Sequence, residues 1–106
     1  MNEKIDLFLD DARTCPPGFV LTRNAEECVF LLKTCRVRVL SLDFDLGWGQ
    51  PNGLDVVRSI VANRTYPDII YLHTSSMEGR RLMYELLYRH KPEHVLLHNG
   101  PMPQAD

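Results

Sequence analysis

Apolar and polar positions divide the chain into short apolar runs and longer stretches with helical periodicity. Five runs are typical of strands: residues 4–10, 19–23, 38–42, 68–73 and 94–98. Three segments between them have helical spacing: from Asn24 to about Thr34 or Cys35, from Leu54 to about Ala62, and between Ser76 and Pro92. This alternation predicts one α/β domain with a mainly parallel sheet and helices on its faces.

The first connection of the predicted sheet departs from this alternation. Residues 11–18 alone separate the first two strands, and two prolines and a glycine oppose a regular helix there. An extended segment of this length can still cross between parallel neighbours, at about 3.3 Å per residue. We therefore predict a crossover without a helix. At the other end, two further prolines predict a loose tail over residues 99–106.

Carboxylates follow two of the apolar runs at the point where each predicted strand ends. Asp10 and Asp11 come after the first strand, and Asp43 and Asp45 follow the central run Val39–Leu42. Because sites in open parallel sheets form beyond the carboxyl ends of the strands, the four carboxylates should line one acidic pocket. Oxygen ligands of this kind select a hard divalent cation, Mg²⁺ or Mn²⁺. The competing interpretation is that an aspartate merely caps the turn after it.

Two histidines end strands at the same edge of the predicted sheet. His73 closes the fourth strand and His98 the fifth. An imidazole exchanges a proton near neutral pH, as cleavage of a phosphodiester requires. Both are therefore candidate catalytic residues, together with Asp43. The alternative for each is a histidine with a purely structural role.

Four further residues are candidate phosphate ligands. Thr74 and Ser75 lead directly into a helix N-terminus, where free backbone amides favour anions. Arg13 follows the first acidic pair and Arg80 begins the third helix, and a planar guanidinium suits a pair of phosphate oxygens. Surface helices also carry arginines without any ligand, so both interpretations stay open. Gly79, at the start of that helix, is costly unless another group approaches it closely.

Composition and charge exclude several classes of protein. A chain of 106 residues has room for one domain, and its net charge of −2 argues against a general DNA-binding surface. The apolar runs are too short to span a bilayer, and aspartates interrupt the one candidate leader at the N-terminus. The three cysteines are odd in number and lack metal-finger spacing, which favours a reducing, cytoplasmic setting.

The pattern of acidic and hydroxyl residues resembles the response-regulator receiver domain. Asp10-Asp11 follow strand one, Asp43 follows strand three, and Thr74 follows strand four. In that family two acidic residues hold Mg²⁺ with a third aspartate, which accepts a phosphoryl group that a hydroxyl senses. The resemblance implies that Asp10 and Asp11 are metal ligands and that Asp43 is the phosphoryl acceptor or a further ligand. Thr74 matches the hydroxyl position.

Departures from ordinary receivers make the chain look like an offshoot, the cyclic-phosphate-processing receiver domain. His98-Asn99 stand where receivers carry a lysine, and the first and last helices are missing. The motifs that carry this resemblance are Leu9–Arg13, Ser41–Gly47 and His73–Arg81. The implied fold is a three-layer, flavodoxin-like receiver fold with sheet order 2-1-3-4-5 and reduced or absent first and last helices.

Three functions follow as hypotheses. The first is a divalent-metal-dependent phosphoesterase acting on a small phosphorylated molecule, such as a cyclic nucleotide or an RNA terminal cyclic phosphate. The second is a signalling receiver phosphorylated on Asp43, against which the missing lysine counts. The third is a degenerate receiver that binds a partner protein. A sheet edge poor in helices is also compatible with a homodimer.

Overall fold

The computed structural model describes residues 3–103. Eight elements follow one another along the chain: β1 (Lys4–Leu9), β2 (Phe19–Thr22), α1 (Ala25–Thr34), β3 (Arg36–Leu42), α2 (Gly53–Asn63), β4 (Ile69–Leu72), α3 (Met77–His90) and β5 (Leu96–His98). Every predicted strand and helix is present, but β5 begins two residues later than expected. His94 and Val95 belong instead to a turn in which the Val95 amide donates to the Pro92 carbonyl at 3.1 Å. Among these elements, no helix combines the length and apolar character needed to cross a bilayer.

The five strands form one sheet with the order β2-β1-β3-β4-β5, and all neighbouring strands are parallel. The expected strand order and receiver-like fold are thereby confirmed. In this register Leu9 lies opposite Leu42, and Leu42 lies opposite Leu72. Because the three central strands end level with one another, residues 10, 43 and 73 emerge side by side at the carboxyl edge.

All three helices pack on one face of the sheet. Alternate strand residues such as Leu9, Leu42 and Leu72 join helix residues such as Cys28 and Ile60 in one buried cluster. Within residues 3–103 the opposite face carries no helix, as expected for a receiver that lacks its first and last helices. The described residues therefore form two layers, one of strands and one of helices, instead of the three layers expected, because the helices that would cover the second face are absent from them.

The connection from β1 to β2 crosses without a helix, as predicted. Arg23 holds it in place, because its guanidinium donates to the carbonyls of Asp10 at 3.2 Å and Arg13 at 3.1 Å. The Asp10 amide also donates to the Thr22 carbonyl at 3.1 Å. Gly18 has a φ of +84°, a conformation that favours glycine. These hydrogen bonds thus hold the connection against the sheet, in place of the helix that usually joins parallel strands.

Two glycines let helices α2 and α3 begin against the residues that follow β3. A Cβ on Gly53 would overlap the Asp43 carbonyl oxygen, and a Cβ on Gly79 would overlap the Phe44 ring. The close approach expected at Gly79 is thereby confirmed. The Gly53 amide donates to the Phe44 carbonyl at 2.7 Å. These contacts fix the backbone of Asp43, which neighbours the acidic pocket.

The segment after β5 contacts the sheet over its first residues. The Gly100 carbonyl accepts a hydrogen bond from the Leu72 amide at 2.9 Å. Residues 101–103 lie beside Phe8 on the open face. The tail predicted to be loose from residue 99 is therefore anchored at Gly100, and residues 104–106 lie outside the described residues.

Candidate functional site

The carboxyl edge of β1 and β3 holds a pocket of about 330 Å³. Asp10, Asp11, Asp43 and Asp45 all line it, so the structure brings the four carboxylates together. Asp10 and Asp43 are buried, whereas Asp11 and Asp45 are exposed. The strand register explains the first pair, because the Asp43 amide donates to the Leu9 carbonyl at 3.0 Å and so places Asp43 beside Asp10.

Protein donors use both oxygens of the Asp10 carboxylate. Oδ1 accepts from the amides of Ala12 at 2.9 Å and Arg13 at 2.8 Å. Oδ2 accepts from the Arg13 guanidinium at 3.1 Å and lies 3.0 Å from Nε2 of His73. Two donors on each oxygen fill the capacity of a carboxylate. Asp10 therefore organises the start of the β1–β2 connection, and protein donors engage both of its oxygens.

These contacts keep Asp10 ionised. Burial alone would raise the pKa of this carboxyl, but the hydrogen bonds from Arg13, Ala12 and His73 outweigh burial and lower the pKa below its usual value. The Arg13 guanidinium also donates to the His73 carbonyl at 3.0 Å, which ties the first connection to the end of β4. Asp10 is thus a buried anion that the protein itself neutralises.

His73 is held at both ring nitrogens. Nε2 faces Asp10, and Nδ1 lies 2.6 Å from Oγ of Ser41. Because an ionised carboxylate can only accept, Nε2 carries the proton, and Nδ1 of the neutral ring accepts from the serine hydroxyl. The ring also stacks on Phe8, with centroids 4.5 Å apart and planes within 2°. Neither nitrogen is open toward the acidic pocket.

The pKa of His73 is lowered, mainly because burial disfavours the imidazolium. The carboxylates of Asp10 and Asp43 oppose that shift, and Arg13 reinforces it. The side chain is 7% exposed, so the ring is almost entirely shielded from water. A neutral, doubly hydrogen-bonded imidazole suits the positioning of Asp10 better than direct proton exchange with a ligand.

Ser41 is the member of this arrangement that the sequence did not identify as functional. It is fully buried in the central strand, among leucines and valines. A buried polar side chain needs a hydrogen-bond partner. A serine inside an apolar strand therefore indicates that another polar group contacts it in the fold. We call Asp10, Arg13, Ser41 and His73 the inner cluster, since they are joined to one another by hydrogen bonds.

Asp43 lies at the boundary between the inner cluster and the pocket. Its Oδ1 accepts from the Phe44 amide at 2.8 Å, and its Oδ2 is 3.8 Å from the Arg13 guanidinium. Burial raises the pKa of Asp43, and the Asp10 carboxylate adds to the rise, while hydrogen bonds from Thr74 and Phe44 oppose it. Two neighbouring carboxylates with pKa values shifted in opposite directions are typical of functional sites.

Asp11 and Asp45, the outer carboxylates, meet at Gly47. Asp45 accepts from the Gly47 amide at 3.1 Å, and the Asp11 carboxylate is 3.7 Å from the position a Cβ would take on that glycine. Gly47 has a φ of +113°, which other residues adopt only with strain. Trp48 follows at the rim of the pocket and is 99% exposed. The outer half of the pocket is thus built by the loop after β3.

The donors around the pocket fit a hard divalent cation on its outer side. Asp10, Asp43 and His73 offer ligand atoms within 4.8 Å of one another, but a cation there would displace Arg13 and the proton between Asp10 and His73. Asp11 and Asp45 each keep at least one oxygen that accepts no hydrogen bond from residues 3–103, and Asp43 lines the pocket beside them. Three carboxylate oxygens, completed by water, suit Mg²⁺ or Mn²⁺.

The candidate phosphate ligands are only partly brought together. Arg13 and Ser75 line the pocket. The buried Thr74 lies beside Asp43, and its hydroxyl accepts from the Ser76 amide at 3.1 Å. Arg80 lies on α3 and is not part of the pocket wall.

The second candidate catalytic histidine is placed elsewhere. His98 stacks on Tyr71 on the open face of the sheet, with ring centroids 4.5 Å apart, and does not line the pocket. The sequence put both histidines at strand ends, which is correct. The implied strand order already put β5 at the sheet edge, but it could not show that the His98 ring stacks on Tyr71 instead of facing the carboxylates.

Comparison with known proteins identifies a family. The model described as the cyclic-phosphate processing Receiver domain matches residues 5–89, a span that contains the four carboxylates, Ser41 and His73. This match confirms the resemblance drawn from the sequence motifs. Neither the curated proteins nor the solved structures contain a match to this chain.

Proposed function

We propose that this chain, which belongs to the cyclic-phosphate-processing receiver domain family, is a divalent-metal-dependent phosphoesterase. Its substrate would be a cyclic phosphate or a small nucleotide phosphate. One observation carries the proposal: a pocket in which carboxylates with free oxygens face an arginine and a serine hydroxyl. Such a pocket combines ligands for a hard cation with donors for phosphate oxygens.

Asp11, Asp43 and Asp45 would hold Mg²⁺ or Mn²⁺. When bound, the cation would neutralise charge on the phosphate and favour the ionisation of water. Without a cation, these carboxylates repel one another and the incoming phosphate. The buried Asp10 carboxylate does not share this need, because the Arg13 guanidinium neutralises its charge and His73 donates a hydrogen bond to it.

Arg13 and Ser75 would contact the phosphate directly. The Arg13 side chain is 46% exposed, and its guanidinium has five N–H donors, so groups remain free after its bonds to Asp10 and His73. Ser75 adds an exposed hydroxyl to the same wall. We assign His73 to positioning Asp10, since both of its nitrogens are engaged. Asp43 would then be the buried carboxylate of the metal-binding set that faces the phosphate.

A second candidate function is phosphorylation of Asp43 in a signalling receiver. The observations that favour it are the buried Thr74 beside Asp43 and the Arg13 guanidinium 3.8 Å from its Oδ2. That arginine supplies a cation near the acceptor, as the lysine of ordinary receivers does. The two functions differ in their phosphorus-containing product. A phosphoesterase releases a phosphomonoester, whereas a signalling receiver carries a protein-bound acyl phosphate.

The test is ³¹P NMR of the protein with Mg²⁺ or Mn²⁺ and either a 2′,3′-cyclic nucleotide or acetyl phosphate. We expect a growing phosphomonoester signal from the cyclic nucleotide, lost in Asp43→Asn. Asp68→Asn is the matched control, because Asp68 pairs with Lys4 at the opposite end of the sheet. An acyl phosphate signal would instead support the signalling receiver. No change with either compound would contradict both functions for these substrates.

A further inference from the structure

The open face of the sheet carries a second cavity, larger than the acidic pocket. This cleft of about 810 Å³ lies between the β1–β2 connection and the segment after β5. Its walls include Phe8, Phe19 and Met102, together with two prolines from each of the two flanking segments. The volume is within the range of about 300–1,000 Å³ that is typical of small-molecule sites. The missing helices thus leave a cleft rather than a flat surface.

The cleft is apolar except at one end. Of its polar residues, Ser41 and His73 are hydrogen-bonded to each other, so their polar atoms are already satisfied. Arg13 is the charged residue of the lining within residues 3–103, and it also lines the acidic pocket. The two cavities therefore meet at one guanidinium. A ligand that reaches both would place its anionic group near Arg13 and its apolar part in the cleft.

Rigid rings form the apolar walls. Phe8 stacks on His73 and meets Phe19 edge to face, with centroids 6.4 Å apart and planes at 80°. Phe8 is 5% exposed and so forms the floor, while the half-buried Phe19 and Met102 offer more surface to a ligand. Flat rings and a polarisable thioether suit a planar aromatic group better than a flexible acyl chain.

We propose that the cleft binds the base of a nucleotide whose phosphate occupies the acidic pocket. This inference rests on the proposed function for the phosphate end and extends it to the class of substrate. The charge distribution supports a ligand with one anionic end, because Arg13 is the cationic residue of the cleft lining within residues 3–103 and lies at the junction with the acidic pocket. Phosphate and base would then be recognised on opposite sides of Arg13.

The test separates the base from the phosphate. The full chain is titrated with adenosine, which has no phosphate, and with glycerol 1,2-cyclic phosphate, which has no base, while NMR follows Phe19 and the Met102 methyl group. We expect adenosine to cause saturable shifts at both residues and the base-free compound to leave them unchanged. Met102→Ala and Phe19→Leu should each weaken adenosine binding. Phe19→Ala should raise the dissociation constant for adenosine by at least about fivefold, as expected for loss of a stacking partner.

Phe30→Ala is the control, because Phe30 is 62% exposed on α1, on the helix-covered side of the sheet. Adenosine binding without hydrolysis of the cyclic nucleotide would remove the proposed activity and leave the cleft assignment intact. Hydrolysis that is equally fast for a base-free cyclic phosphate, without shifts at Phe19 and Met102, would overturn the cleft assignment alone. Adenosine-induced chemical-shift changes confined to Trp48 would also overturn it. The same holds if the signals of Phe19 and Met102 change with protein concentration in the absence of ligand, because a second copy of the chain would then occupy the cleft.

Discussion

Asp10 and Asp11 are adjacent in the chain and carry the same side chain, but their surroundings are opposite. Asp10 is buried and accepts four contacts from protein donors. Asp11 is exposed, and its carboxylate accepts no hydrogen bond from the described part of the chain. The inner cluster is therefore complete without a ligand, whereas the outer carboxylates are not. The structure thus separates a carboxylate that protein donors satisfy from one whose oxygens accept no hydrogen bond from the described residues.

The contrast has a direct energetic consequence. A buried charge is tolerated only with partners, so each contact of Asp10 contributes to folding. An exposed carboxylate is solvated by water and contributes little to stability until a cation binds. Substitutions in the inner cluster should therefore mainly lower the free energy of unfolding. Substitutions of the outer carboxylates should mainly weaken metal binding.

The largest effect on stability is expected for Asp10→Asn. The substitution removes the charge that His73 and Arg13 face, and it can place an amide donor against their N–H groups. Breaking one partner of a buried ionic network typically costs about 3–5 kcal/mol, and we expect a loss near the lower limit because Arg13 is partly exposed. Urea denaturation monitored by circular dichroism measures it. A loss below about 1 kcal/mol would show that Asp10 is not the centre of the cluster.

A smaller loss is expected for Ser41→Ala. Nδ1 of His73 then has no donor in a buried position, which typically costs about 1–3 kcal/mol. Ser59→Ala is the matched control, since Ser59 lies on α2 and accepts from the nearby Asn63 side chain. Two-bond ¹H–¹⁵N spectra should report the Nε2–H tautomer of His73 in the wild type. A ring protonated at Nδ1 would contradict the assigned direction of the serine hydrogen bond.

The lowered pKa of His73 gives a stability change with a defined sign. In the unfolded chain the imidazole titrates near 6.5, and in the fold it titrates lower. Between those two values the unfolded state binds more protons, so stability should fall as the pH is lowered, by at most about 1.4 kcal/mol per pH unit. The raised pKa of Asp43 acts in the opposite direction, since the folded state then takes up a proton more readily.

The comparison of wild type with His73→Gln reports mainly the histidine contribution, because Asp43 and the other histidines are present in both. Denaturation in EDTA between pH 7.5 and 5.0 should show a steeper decline for the wild type. Parallel curves would contradict a His73 pKa below its usual value.

The smallest effect on stability is expected for Asp11→Asn. The carboxylate is exposed and forms no hydrogen bond with residues 3–103, so the free energy of unfolding in EDTA should stay within about 0.5 kcal/mol of wild type. Asp45→Asn should lose slightly more, because Asp45 accepts from the Gly47 amide. A loss above about 2 kcal/mol for Asp11→Asn would place Asp11 in the inner cluster.

Sequence periodicity predicted the sheet, its helices and the helix-free crossover, because these follow from where apolar residues can be buried. Strand ends also brought the carboxylates to one pocket. The different surroundings of Asp10 and Asp11 could not be predicted, since they depend on which carboxylate the fold brings to His73, 63 positions away from Asp10. The same holds for the pairing of Ser41 with His73. Cys28 and Cys35 are seven positions apart, a spacing that predicts two core cysteines on one helix face. Cys28 is buried, but Cys35 is exposed because the helix ends at Thr34.

The most direct test of the division between the inner cluster and the outer carboxylates is a Mn²⁺ titration of Asp10→Asn and Asp11→Asn. The two variants remove the same charge from adjacent positions, so they differ in whether a ligand is lost. Loss of even a second-shell partner typically weakens metal binding about tenfold, and we expect at least that for Asp11→Asn. Asp10→Asn, measured where circular dichroism shows it folded, should lose clearly less. An equal or larger loss in Asp10→Asn would contradict the assignment of the cation to the outer side of the pocket.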